Sequence, residues 1–154
     1  MAGHTENSII IRAPRAFVFD RTNDLASWPV LFTEYASVDI LRHEENYFVF
    51  RLTTKPDEGG RSWSWISWRR LYRDEWRIEA ARIEPLIPFS SMAIRWFYDA
   101  QVKSTLMRWE QDFTVAQAAP FSESDAVAYI NQNSAIQMAA IKECLEQEWA
   151  RSQE

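Results

Sequence analysis

Glycine is nearly absent. Three glycines among 154 residues leave no glycine-rich loop, so nucleotide sites built on such loops are excluded. A single cysteine, Cys144, excludes an intrachain disulfide and a cysteine-clustered metal centre. Its place in a helical pattern makes it a small hydrophobe. His4 and His43 are too few for a multi-histidine zinc site, and neither stands in a recognisable nucleophile–base–acid triad. The basic surplus of a nucleic-acid binder is missing: 17 Lys and Arg against 22 Asp and Glu give a net charge of −5. No apolar run reaches transmembrane length, and none of signal-peptide length precedes Ile9. The expectation is a cytoplasmic protein with no metal, no cofactor, no nucleic-acid partner and no membrane association.

Aromatic residues are plentiful, at 14% of the chain. The length fits one domain, 1–154, with a substantial core. Arg61-Ser62-Trp63-Ser64-Trp65-Ile66-Ser67-Trp68-Arg69-Arg70 carries three of the eight tryptophans. Read as a strand, it puts Trp63, Trp65, Ser67 and Arg69 on one face. Two aromatic planes, a hydroxyl and a guanidinium suit a flat, oxygen-rich ligand. The same row fits a core in which Arg69 reaches water with its head. A slip by one residue would turn Ser64, Ile66 and Trp68 inward instead.

Residues 7–12 read as a β-branched strand that Ala13-Pro14 ends. A short helix is expected over 14–21. Asn23-Asp24 offers a cap for a second short helix ending near Trp28-Pro29. Strands follow at 36–43, 46–54, 61–73, 76–85, 91–99 and 104–114, with breaks that include Pro85 to Pro88. The last segment, 122–150, reads as one long helix opened by a Ser122–Asp125 capping box. Val127, Ile130, Ser134, Met138, Ile141, Leu145 and Trp149 make a stripe at spacings of three and four. Asn131 falls inside it, either bonding to the sheet or lining a pocket. The pattern predicts an α+β fold: a seven-stranded antiparallel curved sheet around a long C-terminal helix, with two short helices after the first strand.

Several stretches together carry a family resemblance. They are Thr5-Glu-Asn-Ser-Ile-Ile-Ile, Asp20-Arg-Thr-Asn-Asp-Leu-Ala-Ser-Trp-Pro, Leu31-Phe-Thr-Glu-Tyr-Ala, Phe50-Arg-Leu-Thr-Thr-Lys-Pro-Asp, Trp63-Ser-Trp-Ile-Ser-Trp-Arg, Met107-Arg-Trp-Glu-Gln-Asp-Phe and Ala119-Pro-Phe. They run in order along nearly the whole chain. The sequence thereby resembles the single-domain aromatase/cyclases of bacterial type II polyketide synthases, tetracenomycin and spore-pigment type, in the START/Bet v 1-like helix-grip superfamily. Around 84–91 the chain departs from the glycine-proline element usual there, with Glu-Pro-Leu-Ile-Pro-Phe-Ser-Ser.

The resemblance implies a cofactor-independent enzyme acting on a poly-β-ketone carried by an acyl carrier protein of the minimal synthase. It would direct first-ring aldol closure and assist the dehydration that aromatises the ring. By matching position, Arg69 is the essential pocket arginine, Tyr35 its partner, and Ser67 a third member of the catalytic group. Trp28, Phe32, Trp63 and Trp65 match substrate-binding aromatic positions. Phe89, Met92, Trp96, Trp109 and Gln111 match further lining positions if one residue is inserted near Pro85, and Asn131 matches a helix position facing the pocket. Arg69 would stabilise oxyanions, and Tyr35, with its phenol pKa lowered by the nearby guanidinium, would shuttle protons. Two rival readings stand beside this one: a non-catalytic carrier of an apolar or aromatic ligand, and a structural subunit of the synthase.

Overall fold

A computed structural model describes residues 2–84 and 89–154. In chain order the strands are β1 (Ala2–Ile11), β2 (Tyr35–Glu44), β3 (Tyr47–Thr54), β4 (Ser64–Tyr72), β5 (Arg77–Glu84), β6 (Phe89–Gln101) and β7 (Ser104–Val115). The helices are α1 (Arg15–Thr22), α2 (Trp28–Leu31) and α3 (Glu123–Ser152), with 3-10 turns at Leu25–Ser27 and Arg73–Glu75. The expected break at Pro85 to Pro88 lies outside the described residues.

The seven strands form one antiparallel sheet in the order β1-β7-β6-β5-β4-β3-β2. From β2 to β7 each strand pairs antiparallel with the next in sequence. β1 adds at the far edge, along Ala2↔Thr114 to Ile11↔Thr105. Pairing shifts between Tyr35 and Ser37, between Ile40 and Arg42, and between Ile66 and Ser67 bend the sheet. The last shift steps from Ile66↔Glu84 to Ser67↔Arg82, leaving Ile83 as the extra residue on β5.

Two local expectations change. The strand over 61–73 is shorter, because Asp57 captures the amide of Arg61 through Oδ1 and Thr54 Oγ1 accepts from Trp63 N, so the turn reaches Trp63. The second helix does not end at Trp28-Pro29 but begins there. Pro29 sits in its first turn, where a missing N–H costs nothing. Nor does Asn23 or Asp24 cap the turn that follows with a side-chain bond; Asn23 points inward instead.

α3 opens with the expected capping box: Asp125 N donates to Ser122 Oγ, and Ser122 N donates to Asp125 Oδ2, both at 3.1 Å. Ile130, Ser134, Met138, Ile141 and Leu145 are buried, with Val127 and Trp149 half-buried at the stripe's ends. Met138, Ile141 and Leu145 join Ile11, Val18 and Met107 in the main core. Each such side chain contributes about 1.5–3 kcal/mol of burial free energy. Ala126 and Ile130, two to three turns before Met138, join Met92 and Phe113 in a second, smaller cluster.

Candidate functional site

A cavity of about 570 Å³ is lined by residues of both clusters, between the sheet and the first half of α3. β4 supplies its polar wall. Trp65, Ser67 and Arg69 point inward, and Ser67 and Arg69 are buried. Trp68 turns to the opposite face and stacks on Tyr47. Of the two registers open in the sequence, the inward one is therefore that implied by the resemblance, with one change: Trp63 precedes the strand and, at 59% exposed, forms part of the cavity rim.

Aromatic planes build the other walls. Trp96 stacks on Trp109 with centroids 4.3 Å apart and an 11° interplanar angle. Trp28 and Phe32 lie within 27° of the Trp96 plane. Phe89, Met92 and Gln111 complete the β6–β7 side. Near-parallel rings at these spacings favour flat conjugated molecules.

Arg69 is 2% exposed. Its Nε donates to Asn23 Oδ1 at 2.8 Å, and its guanidinium lies 4.2 Å from the Trp96 ring centre and 5.1 Å from that of Trp28. Among the described residues no carboxylate forms an ion pair with it, and its Nη2 has no hydrogen-bond partner. Burial lowers its pKa to about 10, against support for the charge from Tyr98 and Tyr35. It remains a cation at neutral pH, in surroundings where cations are costly.

Tyr35 stacks on Trp28 and meets Phe32 and Trp65. Its phenol pKa is raised well above 10, not lowered. Burial is the larger cause and the Glu34 carboxyl adds to it, outweighing Arg82 and Arg69. Tyr35 is therefore a proton donor that holds its proton.

Asn131 does not line the cavity. Its Oδ1 accepts from Asn7 Nδ2 at 3.0 Å, so it ties α3 to β1. The polar groups that α3 brings to the cavity include Ser134 of the stripe and, beside it, Asn133 and Gln137. Gln137 Oε1 accepts from Thr33 N, and its Nε2 donates to Thr33 Oγ1, both at 2.8 Å. Asn133 Nδ2 lies 3.3 Å from both oxygens of Glu34. Burial raises the Glu34 carboxyl pKa, opposed by Asn133 and Tyr35. Across the cavity, Arg82 lies 4.3 Å from the Trp65 ring centre, and burial lowers its pKa against Tyr35 and Glu34. Glu34 and Arg82 were not singled out from the sequence. Only the cross-strand pair Ser67↔Arg82 would have pointed to the second.

No protein-family model matches the chain. The architecture is shared with solved structures. The aromatase/cyclase ZhuI of Streptomyces sp. R1128 superposes with a TM-score of 0.81 at 20% identity, over 100% of this chain and 97% of that one. A START superfamily protein of Mycobacterium smegmatis gives 0.69 at 16% identity, over 96% and 97%. The class is the START/Bet v 1-like helix-grip fold, here with a cavity between sheet and helix. A Streptomyces cyaneus protein named as a polyketide cyclase is 47% identical over 147 residues, 96% of each sequence. The chain belongs to the polyketide cyclase family.

Proposed function

We propose that the cavity folds a poly-β-ketone delivered on an acyl carrier protein, closes its first ring by aldol addition, and assists the dehydration that makes the ring aromatic. The observation that carries this reading is Arg69: a buried cation with no carboxylate partner among the described residues, facing a cavity walled by aromatic planes. A carrier of apolar ligands gains nothing from such a charge. An enzyme that develops negative charge on oxygen does.

Methylenes between two ketones are already acidic, so the closure requires no cofactor. The Glu34 carboxylate accepts a methylene proton, and the resulting enolate carbon bonds to a distant carbonyl carbon. That carbonyl oxygen becomes an alkoxide beside Arg69 and takes a proton from Tyr35. Contact between the Tyr35 hydroxyl and the Glu34 carboxyl returns the proton, so both groups are reset. Loss of the new hydroxyl as water, with a second methylene proton, yields the double bond. Ser67, on the same wall, holds a substrate oxygen or a water. The aromatic walls fix one bend out of many.

Reconstitution with a minimal polyketide synthase and analysis of the products tests this directly. Correctly closed first-ring product should depend on the protein and on Arg69. Product unaffected by the protein, together with tight binding of an aromatic ligand, would select the carrier reading.

Two variants examine the proton path. Tyr35→Phe keeps the ring and its stacking, so affinity for a product analogue should hold while turnover slows. Equal losses in binding and turnover would make Tyr35 a substrate-positioning group. Glu34→Gln should lower kcat by about 10²-fold, the lower end for loss of a general base. Because the Glu34 pKa is raised, activity should fall as pH drops through a value above the ordinary carboxylate range. Glu34→Gln should remove that acid limb from the kcat/KM profile, and an unchanged limb assigns it elsewhere.

A further inference from the structure

We propose that Asn23 is a positioning residue that aims Arg69 through a neutral oxygen, leaving the full guanidinium charge available to the cavity. The proposal rests on the oxyanion role given to Arg69 above.

The hydrogen bonds around Asn23 fix its orientation. Its Nδ2 lies 2.8 Å from the carbonyl oxygen of Phe19, which can only accept, and 3.2 Å from the Tyr98 hydroxyl. The amino group must face Phe19, so the amide oxygen faces Arg69 Nε at 2.8 Å. Tyr98 is held in turn by Thr22, hydroxyl to hydroxyl at 2.6 Å, and Thr22 Oγ1 lies 2.8 Å from the carbonyl oxygen of Val18. All four side chains are buried. The last turn of α1 therefore anchors a chain of bonds that ends on the guanidinium.

The residue type matters as much as the place. Aspartate has nearly the same shape, and a buried arginine usually meets a carboxylate. Here a carboxylate would set an oxygen against the Phe19 carbonyl, acceptor to acceptor. It would also neutralise the cation that, among the described residues, faces the Trp28 and Trp96 rings. An amide satisfies Nε, leaves Nη2 without a partner among the described residues, and adds no charge.

The probe is 4-nitro-1-naphthol, a flat phenol whose phenolate form has its own absorbance band. Bound to the wild-type protein, it should titrate at a lower pH than in buffer. Arg69→Ala should abolish that lowering, and Asn23→Asp should bring the bound probe to the Arg69→Ala value. With polyketide substrate, Asn23→Asp should lose about 10²-fold in kcat, as for loss of an oxyanion donor, with little change in KM. A probe that titrates in Asn23→Asp as in wild type overturns the proposal while leaving the role of Arg69 intact. A probe that titrates in Arg69→Ala as in wild type overturns that role itself. Should Asn23→Asp fail to fold, Thr22→Val serves instead. It keeps the bond of Arg69 to Asn23 and the Tyr98 hydroxyl beside both, but frees that hydroxyl from its anchor on α1. Reduced kcat with the probe's titration still lowered supports positioning, and wild-type kcat overturns it.

Discussion

Arg69→Ala should reduce the yield of correctly closed first-ring product by about 10²–10³-fold, the usual loss when one oxyanion donor is removed. Arg69→Lys should recover little, because an ammonium lacks the planar fork that both meets Asn23 and lies over Trp96. Stability should move the other way. Burial brings the Arg69 pKa from the ordinary arginine range down to about 10, which corresponds to roughly 3 kcal/mol of strain on the charged form. Because the folded-state pKa is the lower one, that cost is fully present below about pH 10 and is relieved only as pH rises toward the ordinary arginine range. Arg69→Met, apolar and of similar length, should therefore be at least as stable as wild type in thermal unfolding at neutral pH, although inactive. An Arg69→Met protein that is markedly less stable would mean the arginine is retained for packing. A folded one with wild-type product yield would defeat the catalytic reading.

Trp96→Ala should cost about 3–5 kcal/mol, as large-to-small changes at buried tryptophans do. Trp96 is 5% exposed and sits at the centre of the wall, against Trp109, Trp28 and Phe32. It is also the ring beneath the Arg69 guanidinium. Its truncation should thus combine a lowered melting temperature, slower closure, and more spontaneously closed side products. Trp65 is only half-buried and meets Arg82 and not Arg69. Trp65→Ala should change the pattern of rings at little cost in stability. Product profiles and unfolding curves of the two variants separate shape from charge. An unchanged ring pattern in both would mean that the synthase, not this cavity, dictates folding of the chain.

The period-two row of β4 and the three-and-four stripe of α3 were legible in the sequence because each has one face committed to the interior. That committed face carries Arg69, Trp65 and the rim residue Trp63, while the other lining aromatics, Trp28, Phe32, Phe89, Trp96 and Trp109, were legible only through the family resemblance. What escaped lies where periodicity breaks. Glu34 sits beside Tyr35 at the exit from α2, where neither helical nor strand alternation applies. Arg82 is brought opposite Ser67 only by the extra residue Ile83. Asn23 has the residue type and place of a helix cap, and it takes tertiary contacts forty-six and seventy-five residues away to turn it inward. Asn131 follows the stripe in spacing, yet a helix of 3.6 residues per turn carries it round toward β1.

Five of the eight tryptophans, Trp28, Trp63, Trp65, Trp96 and Trp109, face the cavity. Their excited states therefore report on its contents. The stacked Trp96–Trp109 pair is close and parallel enough for its transitions to couple, giving near-ultraviolet circular dichroism a signature of the wall itself. A flat conjugated guest lying against these rings should quench their emission. The cavity thus carries its own optical gauge, and occupancy can be followed on the unlabelled protein.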